Sequence, residues 1–161
     1  MRRTDRAVTD PAEILRIVGE SKILHLGLFD GQYPYVVPLH FGFEFADGRL
    51  ILYAHCAKEG HKLDLIRRNP NVCAELESGT ELISGGQNPC MYGAYYASVI
   101  GRGYAETVSD PEQKARGIAL LMQNQTGRTF TVTEQMASAV EVIRIVLTEF
   151  TAKSRKAEQK G

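Results

Sequence analysis

The chain has 161 residues, 43% of them hydrophobic, which suits one domain with a core of its own. Its 19 Lys and Arg balance 19 Asp and Glu, so no net field holds it on nucleic acid or an anionic membrane, and neither is expected as a partner. No apolar run suits a membrane span or a signal peptide, and Cys56, Cys73 and Cys90 show no CxxC spacing, so free thiols in a cytoplasmic protein are expected.

Asp10-Pro11 caps a helix whose apolar residues are Ile14, Leu15, Ile17 and Val18, ending at Gly19, and this helix is placed over a barrel end. Lys22 to Phe29 alternates, with Leu24, Leu26 and Leu28 facing one way and Ile23, His25 and Gly27 the other, before Asp30-Gly31 turns the chain. His25 is read as a half-buried histidine with a backbone partner and is given no role. Pro34 to Phe45 is read as one strand, with Tyr35, Val37, Leu39, Phe41, Phe43 and Phe45 on one face and Val36, Pro38, His40, Gly42 and Glu44 on the other. Ala46-Asp47-Gly48 is a tight turn into Leu50 to His55, the returning strand. Ala57 to Arg68 reads as a helix, stopped by Asn69-Pro70 ahead of a strand over Val72 to Glu77.

Ser78 to Pro89 reads as a loop around Gly85-Gly86. From Cys90 to Thr107, aromatic and small residues with glycines at 93, 101 and 103 predict a long strand that bends, as a small closed sheet needs. Asp110-Pro111-Glu112 starts a helix with the stripe Ala115, Ile118, Ala119 and Met122, ending near Gly127, and Thr133 to Ser138 adds a helical turn. Val140 to Phe150 is the last strand, and the charged tail after Lys153 is expected to fray. Most links between strands are too short for parallel crossovers, so the fold class is mainly β with α: a six-stranded antiparallel barrel with covering helices, in one domain with its core over about residues 12 to 155.

The chemistry concentrates at the corner between the strand ending at His55 and the following helix, where His55, Cys56, Gly60, His61 and Lys62 meet. Free N–H groups at a helix start, with a lysine in the first turn, suit a small anion such as phosphate. The spacing HC-x4-H of His55, Cys56 and His61 offers too few ligands for a zinc site, so no metal is assigned. Cys56 lacks a recognisable acid for a triad and is read as a small buried thiol. Neither GxGxxG nor GxxxxGK[ST] occurs, so a phosphate-bearing ligand must be held in another way.

In their order and spacing, YVVPLHFGF (35–43), LYAH (52–55), EGHKLDLI (59–66), NPNVCAEL (69–76), YASVIGRGYA (96–105) and TEFTAKS (148–154) resemble the FMN-binding split-barrel superfamily typified by pyridoxamine 5′-phosphate oxidase, and within it the nitroimidazole-resistance (Nim-type) flavoproteins. The resemblance implies a split barrel and a homodimer with FMN at the subunit interface. By the same resemblance His61 and Lys62 take the place of the family's phosphate-binding Arg-Lys pair, with Gly60, Cys56 and Ala57 on the same corner. Val37, Pro38 and Leu39 match the strand lining the isoalloxazine ring, His55 matches a histidine beside the flavin, and Tyr96 and Ser98 fall on the Y-x-S-V strand. Two positions depart from the pattern. His61 replaces an arginine and cannot form a bidentate fork on phosphate, and TAK (151–153) replaces T-G-K. The implied function is an FMN-dependent oxidoreductase acting on a small molecule, with His55 as the catalytic proton carrier and nitro-group reduction as one reaction. A flavin-binding carrier or sensor without turnover, and a split barrel holding haem (on His25, His40 or His55) or a deazaflavin, are the alternatives.

Overall fold

Alternating stretches become eight antiparallel strands in the computed structural model, which describes residues 3–155. In chain order these are β1 (Ala7–Val8), helix α1 (Pro11–Glu20), β2 (Ile23–Phe29), β3 (Pro34–His40), β4 (Gly42–Ala46), β5 (Arg49–Cys56), helix α2 (His61–Arg68), β6 (Asn71–Ile83), β7 (Gly93–Thr107), helix α3 (Pro111–Thr126), a short α4 (Glu134–Ala137) and β8 (Glu141–Arg155). The sheet runs β3-β2-β6-β7-β8-β5-β4, with β1 added on β8. Its two outermost strands, β3 and β4, follow each other in the chain but do not pair, which makes the barrel split.

That split corrects the single strand expected over Pro34 to Phe45. The chain breaks at Phe41, whose carbonyl lies between the two ladders and accepts from Asn124 Nδ2 at 3.1 Å and Gln125 Nε2 at 3.0 Å. Past the break the alternation slips: Phe41 and Gly42 are both buried, and Phe45 is exposed. The division of this strand and the two-residue β1 raise the count from the expected six to eight. The DG hairpin forms as read, with positive φ at Asp47 and Gly48.

Inside the barrel, Leu24, Leu26, Leu50, Leu52, Leu76, Val99, Ile145 and Leu147 make the core, joined by Ile17 and Val18 from α1 and by Leu63, Leu65 and Ile66 from α2. A second cluster of Ile51, Tyr53, Val108, Val142 and Val146 packs beneath Ile118 and Leu120 of α3. Hence β5 is buried on both faces from Leu50 to Ala54, its even-numbered leucines serving one cluster and Ile51 and Tyr53 the other. On α3 the stripe differs from the expected one: Ala115, Ile118, Ala119 and Met122 are half-buried, and the buried line is Gly117 and Leu121.

Three boundaries also move. The strand expected to stop at Glu77 continues to Ile83 past an irregularity between Ser78 and Glu81, so the connecting loop is shorter than read. Helix α2 begins at His61, because Ala57 to Gly60 form a bend instead of a first turn. Ser154 and Arg155 pair with Ala97 and Tyr96 where a frayed tail was expected, and the remainder of that tail, 156–161, lies outside the described residues.

Two carboxylates tie α3 and its neighbours together. Glu44 accepts from the Tyr53 hydroxyl at 2.7 Å and from Arg116 at 2.5 Å, and Glu141 pairs with Lys114 at 2.7 Å. Burial pushes the Glu44 carboxyl up, but Arg116 and Tyr53 outweigh it and hold it below the usual range. Glu141 is lowered in the same way, burial being overcome by Lys114 and the Val142 N–H. A carboxyl lowered by folding stabilises the fold above its unfolded pKa, about 4.3, and loses that contribution as the pH falls through the folded value. The melting temperature is therefore expected to drop on acidification from about pH 5 to about pH 3. Glu44→Gln should flatten that drop; equal slopes in variant and wild type would show that Glu44 has no part in it.

Candidate functional site

Strand β5 leaves its hairpin partner before it ends. Its last pair with β4 is Gly42↔Tyr53, whereas on the other side Ala54, His55 and Cys56 continue to pair with Ile143, Val142 and Glu141 of β8. The last three residues of β5 thus border the split. His55 is exposed there, and Cys56 is half-buried against the core. Burial pushes the Cys56 thiol up, with Glu141 acting the same way and the positive charge of Lys62 opposing both, which makes it a poor nucleophile.

The bend that follows ends at Gly60, the N-cap of α2. Its φ of 148° belongs to the region that favours glycine, and its carbonyl accepts from the N–H groups of Leu63 (2.9 Å) and Asp64 (3.3 Å). No side chain among the described residues caps this helix, and a Cβ on Gly60 would meet none of their atoms within 4 Å. An open, uncapped helix start is therefore left beside Lys62, with N–H groups that the helix itself cannot satisfy. The His61 ring stands edge-on to Tyr35 of β3, with centroids 5.1 Å apart and planes at 84°. Tyr35 thereby joins the ring-lining strand to the corner, a contact the sequence reading did not identify. Asp30, in the β2–β3 turn, also faces the helix: N–H bonds from Tyr33 and Gln32 hold its carboxyl below the usual range, with smaller help from the charges of His61 and Arg68.

The structure gathers His55, Cys56, Ala57, Gly60, His61 and Lys62 at one corner, next to β3 with its Val37, Pro38 and Leu39. Tyr35, Val37 and Leu39 pack on the core, while Val36, Pro38 and His40 face outward from a strand whose far edge pairs with no other strand among the described residues. Tyr96 and Ser98 lie elsewhere. They pair with Arg155 and Lys153, whereas His55 pairs with Val142, and eleven residues of β8 at about 3.3 Å each separate the two places by about 36 Å along the strand. At that far end, Tyr96 receives a 3.3 Å bond from Arg6 and lines a groove with Arg16, Tyr95 and Arg155.

His25 differs from expectation as well. Its Nδ1 lies 3.0 Å from a carboxylate oxygen of Glu75, not on a backbone group. Fifty positions separate the two residues, and only the β2–β6 register, which sets them opposite each other, brings them together. Among the described residues no three His, Cys, Asp or Glu side chains converge as a metal site would require. No helix among them is long and apolar enough to cross a membrane.

The family profile of pyridoxamine 5′-phosphate oxidase matches residues 10–154. The chain belongs to that family. Solved structures agree with the assignment. A proposed 5-nitroimidazole antibiotic resistance protein from Bacteroides thetaiotaomicron is 28% identical, with a TM-score of 0.76 over 92% of this chain and 86% of its own. A flavocytochrome from Azotobacter vinelandii is 20% identical (TM-score 0.75, covering 98% and 72%), and a protein from Mycobacterium smegmatis described as binding FAD and haem is 12% identical (TM-score 0.74, covering 94% and 74%). At those identities the last two show a shared fold alone. No curated protein matches the chain. Within the pyridoxamine 5′-phosphate oxidase family, the split and its corner are this member's candidate ligand site.

Proposed function

We propose that this family member is an FMN-dependent oxidoreductase that reduces a small molecule, with nitro groups among its substrates. The observation that carries the reading is the uncapped start of α2 beside Lys62, facing the open edge of the split barrel. Lys62 and the N–H groups around Gly60 hold the phosphate, and Tyr35 orients the His61 ring at its side. The outward side of Val37, Pro38 and Leu39 lines the ring, and His55, exposed at the mouth of the split, carries a proton near the substrate. When bound, the flavin supplies the two-electron chemistry.

The working form in this reading is a homodimer. In it, Tyr96 and Ser98, which pair with β8 far along the strand from His55, reach the flavin held by a second copy. Three free cysteines, two of them exposed, suit the reducing cytoplasm. The test is the visible spectrum of the purified protein, followed by titration of any empty fraction with FMN. Two flavin bands and quenched FMN fluorescence are expected. A colourless protein that leaves FMN fluorescence unchanged rules the cofactor out, and a Soret band moves the site to haem.

A further inference from the structure

Resting on that flavin reading, we propose that His25, oriented by Glu75, is a second proton donor to the substrate during its reduction, beside His55. Three residues lie in one row across the outer face of the sheet: Pro38 on β3, His25 on β2 and Glu75 on β6, each directly opposite the next in register. Side chains so placed have Cβ atoms about 5 Å apart. Pro38 is the centre of the ring-lining segment. Because Tyr35, Val37 and Leu39 are packed on the core, a planar ring held against this strand rests on the outward side, where Val36 is 59% exposed and where His25 is Pro38's neighbour.

The surroundings suit a working group better than a structural one. His25 and Glu75 keep 40% and 32% of their side chains exposed, and His25 lines a surface groove with Glu20, Lys22, Ile23 and Glu77. Two of these charges are already engaged, Glu20 by Arg16 and Lys22 by the Asn124 carbonyl. Next along β2 on the same face is Gly27, between Val36 and Cys73; a Cβ there would come 3.2 Å from the Cys73 carbonyl, so the surface beside His25 is flat. The Glu75 carboxylate can only accept, so Nδ1 carries the hydrogen of that bond and Nε2 is left to give or take a proton. Glu75 is the positioning residue of the pair. His55, by contrast, has no hydrogen-bond partner among the described residues to set its ring.

The step balances for a nitro substrate. One N–O bond breaks, and the nitrogen gains an electron pair as a hydride equivalent drawn from reduced flavin. His25 Nε2 supplies the proton, the oxygen leaves as water, and the product is the nitroso compound. The imidazole, now neutral and still bonded to Glu75, takes its next proton from solvent.

The experiment uses full-length protein saturated with FMN and a 5-nitroimidazole as probe, with ring-nitrogen NMR of the histidines beside stopped-flow reoxidation of the reduced form. In wild type the His25 ring signals should show hydrogen on Nδ1 whether or not Nε2 carries its proton, and should shift when the probe binds. His25→Gln should keep FMN affinity within about twofold and slow reoxidation by the probe about a hundredfold, the scale of a lost general acid, with loss of the solvent deuterium effect. Glu75→Gln should disturb the tautomer signature and slow the step less, and Glu75→Asp should restore part of it. Unmoved His25 signals on probe binding, or a wild-type rate and isotope effect in His25→Gln, overturn the proposal while FMN binding stands. A wild type that binds no FMN overturns the functional reading itself, and the proposal with it.

Discussion

Lys62→Ala is expected to raise the FMN dissociation constant between about tenfold and about a hundredfold, the range of one lost hydrogen bond to a charged group of about 1.5–3 kcal/mol. The effect is large because Lys62 stands in the first turn of the uncapped helix, whereas Lys58, the other full positive charge of the corner, lies in the bend before Gly60. Helix N–H groups contribute partial charge, and His61, which cannot grip phosphate in two places as an arginine does, already has its ring against Tyr35. Stability should hardly respond, since Lys62 is half-buried with no ion pair among the described residues, and the melting temperature should stay within about 2 °C. Fluorescence titration with FMN and riboflavin separates the contributions. Riboflavin, lacking phosphate, should bind wild type and variant alike, whereas an unchanged FMN constant would place the phosphate away from α2.

Gly42→Ala is expected to destabilise the fold by about 3 kcal/mol or more, lowering the melting temperature by about 6–12 °C. The added carbon would come within 2.1 Å of the Leu121 nitrogen and 2.3 Å of the Leu120 carbonyl carbon, which are backbone atoms of α3 and cannot rotate aside. Either α3 moves out, breaking the bonds from Asn124 and Gln125 to the Phe41 carbonyl, or β4 shifts at the split. Gly19→Ala is the control: its Cβ would meet the Phe43 ring at an ordinary 3.5 Å within a helix, so the change should be neutral or stabilising by up to about 1 kcal/mol. Equal melting temperatures for the Gly42 and Gly19 variants would mean that α3 does not clamp the split as described.

Much of the architecture follows from local signals. Asp10 and Asp110 cap helices that carry proline in the first turn, Asp47-Gly48 makes the hairpin, and Leu24, Leu26 and Leu28 face inward as their alternation requires. A strand followed by a helix carrying Lys62 was legible for the same reason, although the helix expected from Ala57 starts only at His61, after Gly60. Each of these depends on backbone angles or side-chain period over a few residues, so the sequence alone determines them.

Everything that depends on who meets whom was settled by tertiary structure. Pro34 to Phe45 alternates without interruption, and only the packing of Gly42 on α3, some eighty residues away in the chain, shows why it must break at Phe41. His25 looked like an ordinary strand histidine until the β2–β6 register set Glu75 opposite it. Tyr96 and Ser98 lie on the anticipated strand, yet the β7–β8 register carries them to the far end of the barrel. Periodicity states which face of a strand is apolar; the partner, the register and the point where a ladder must stop come from close packing between distant segments, which no local pattern encodes.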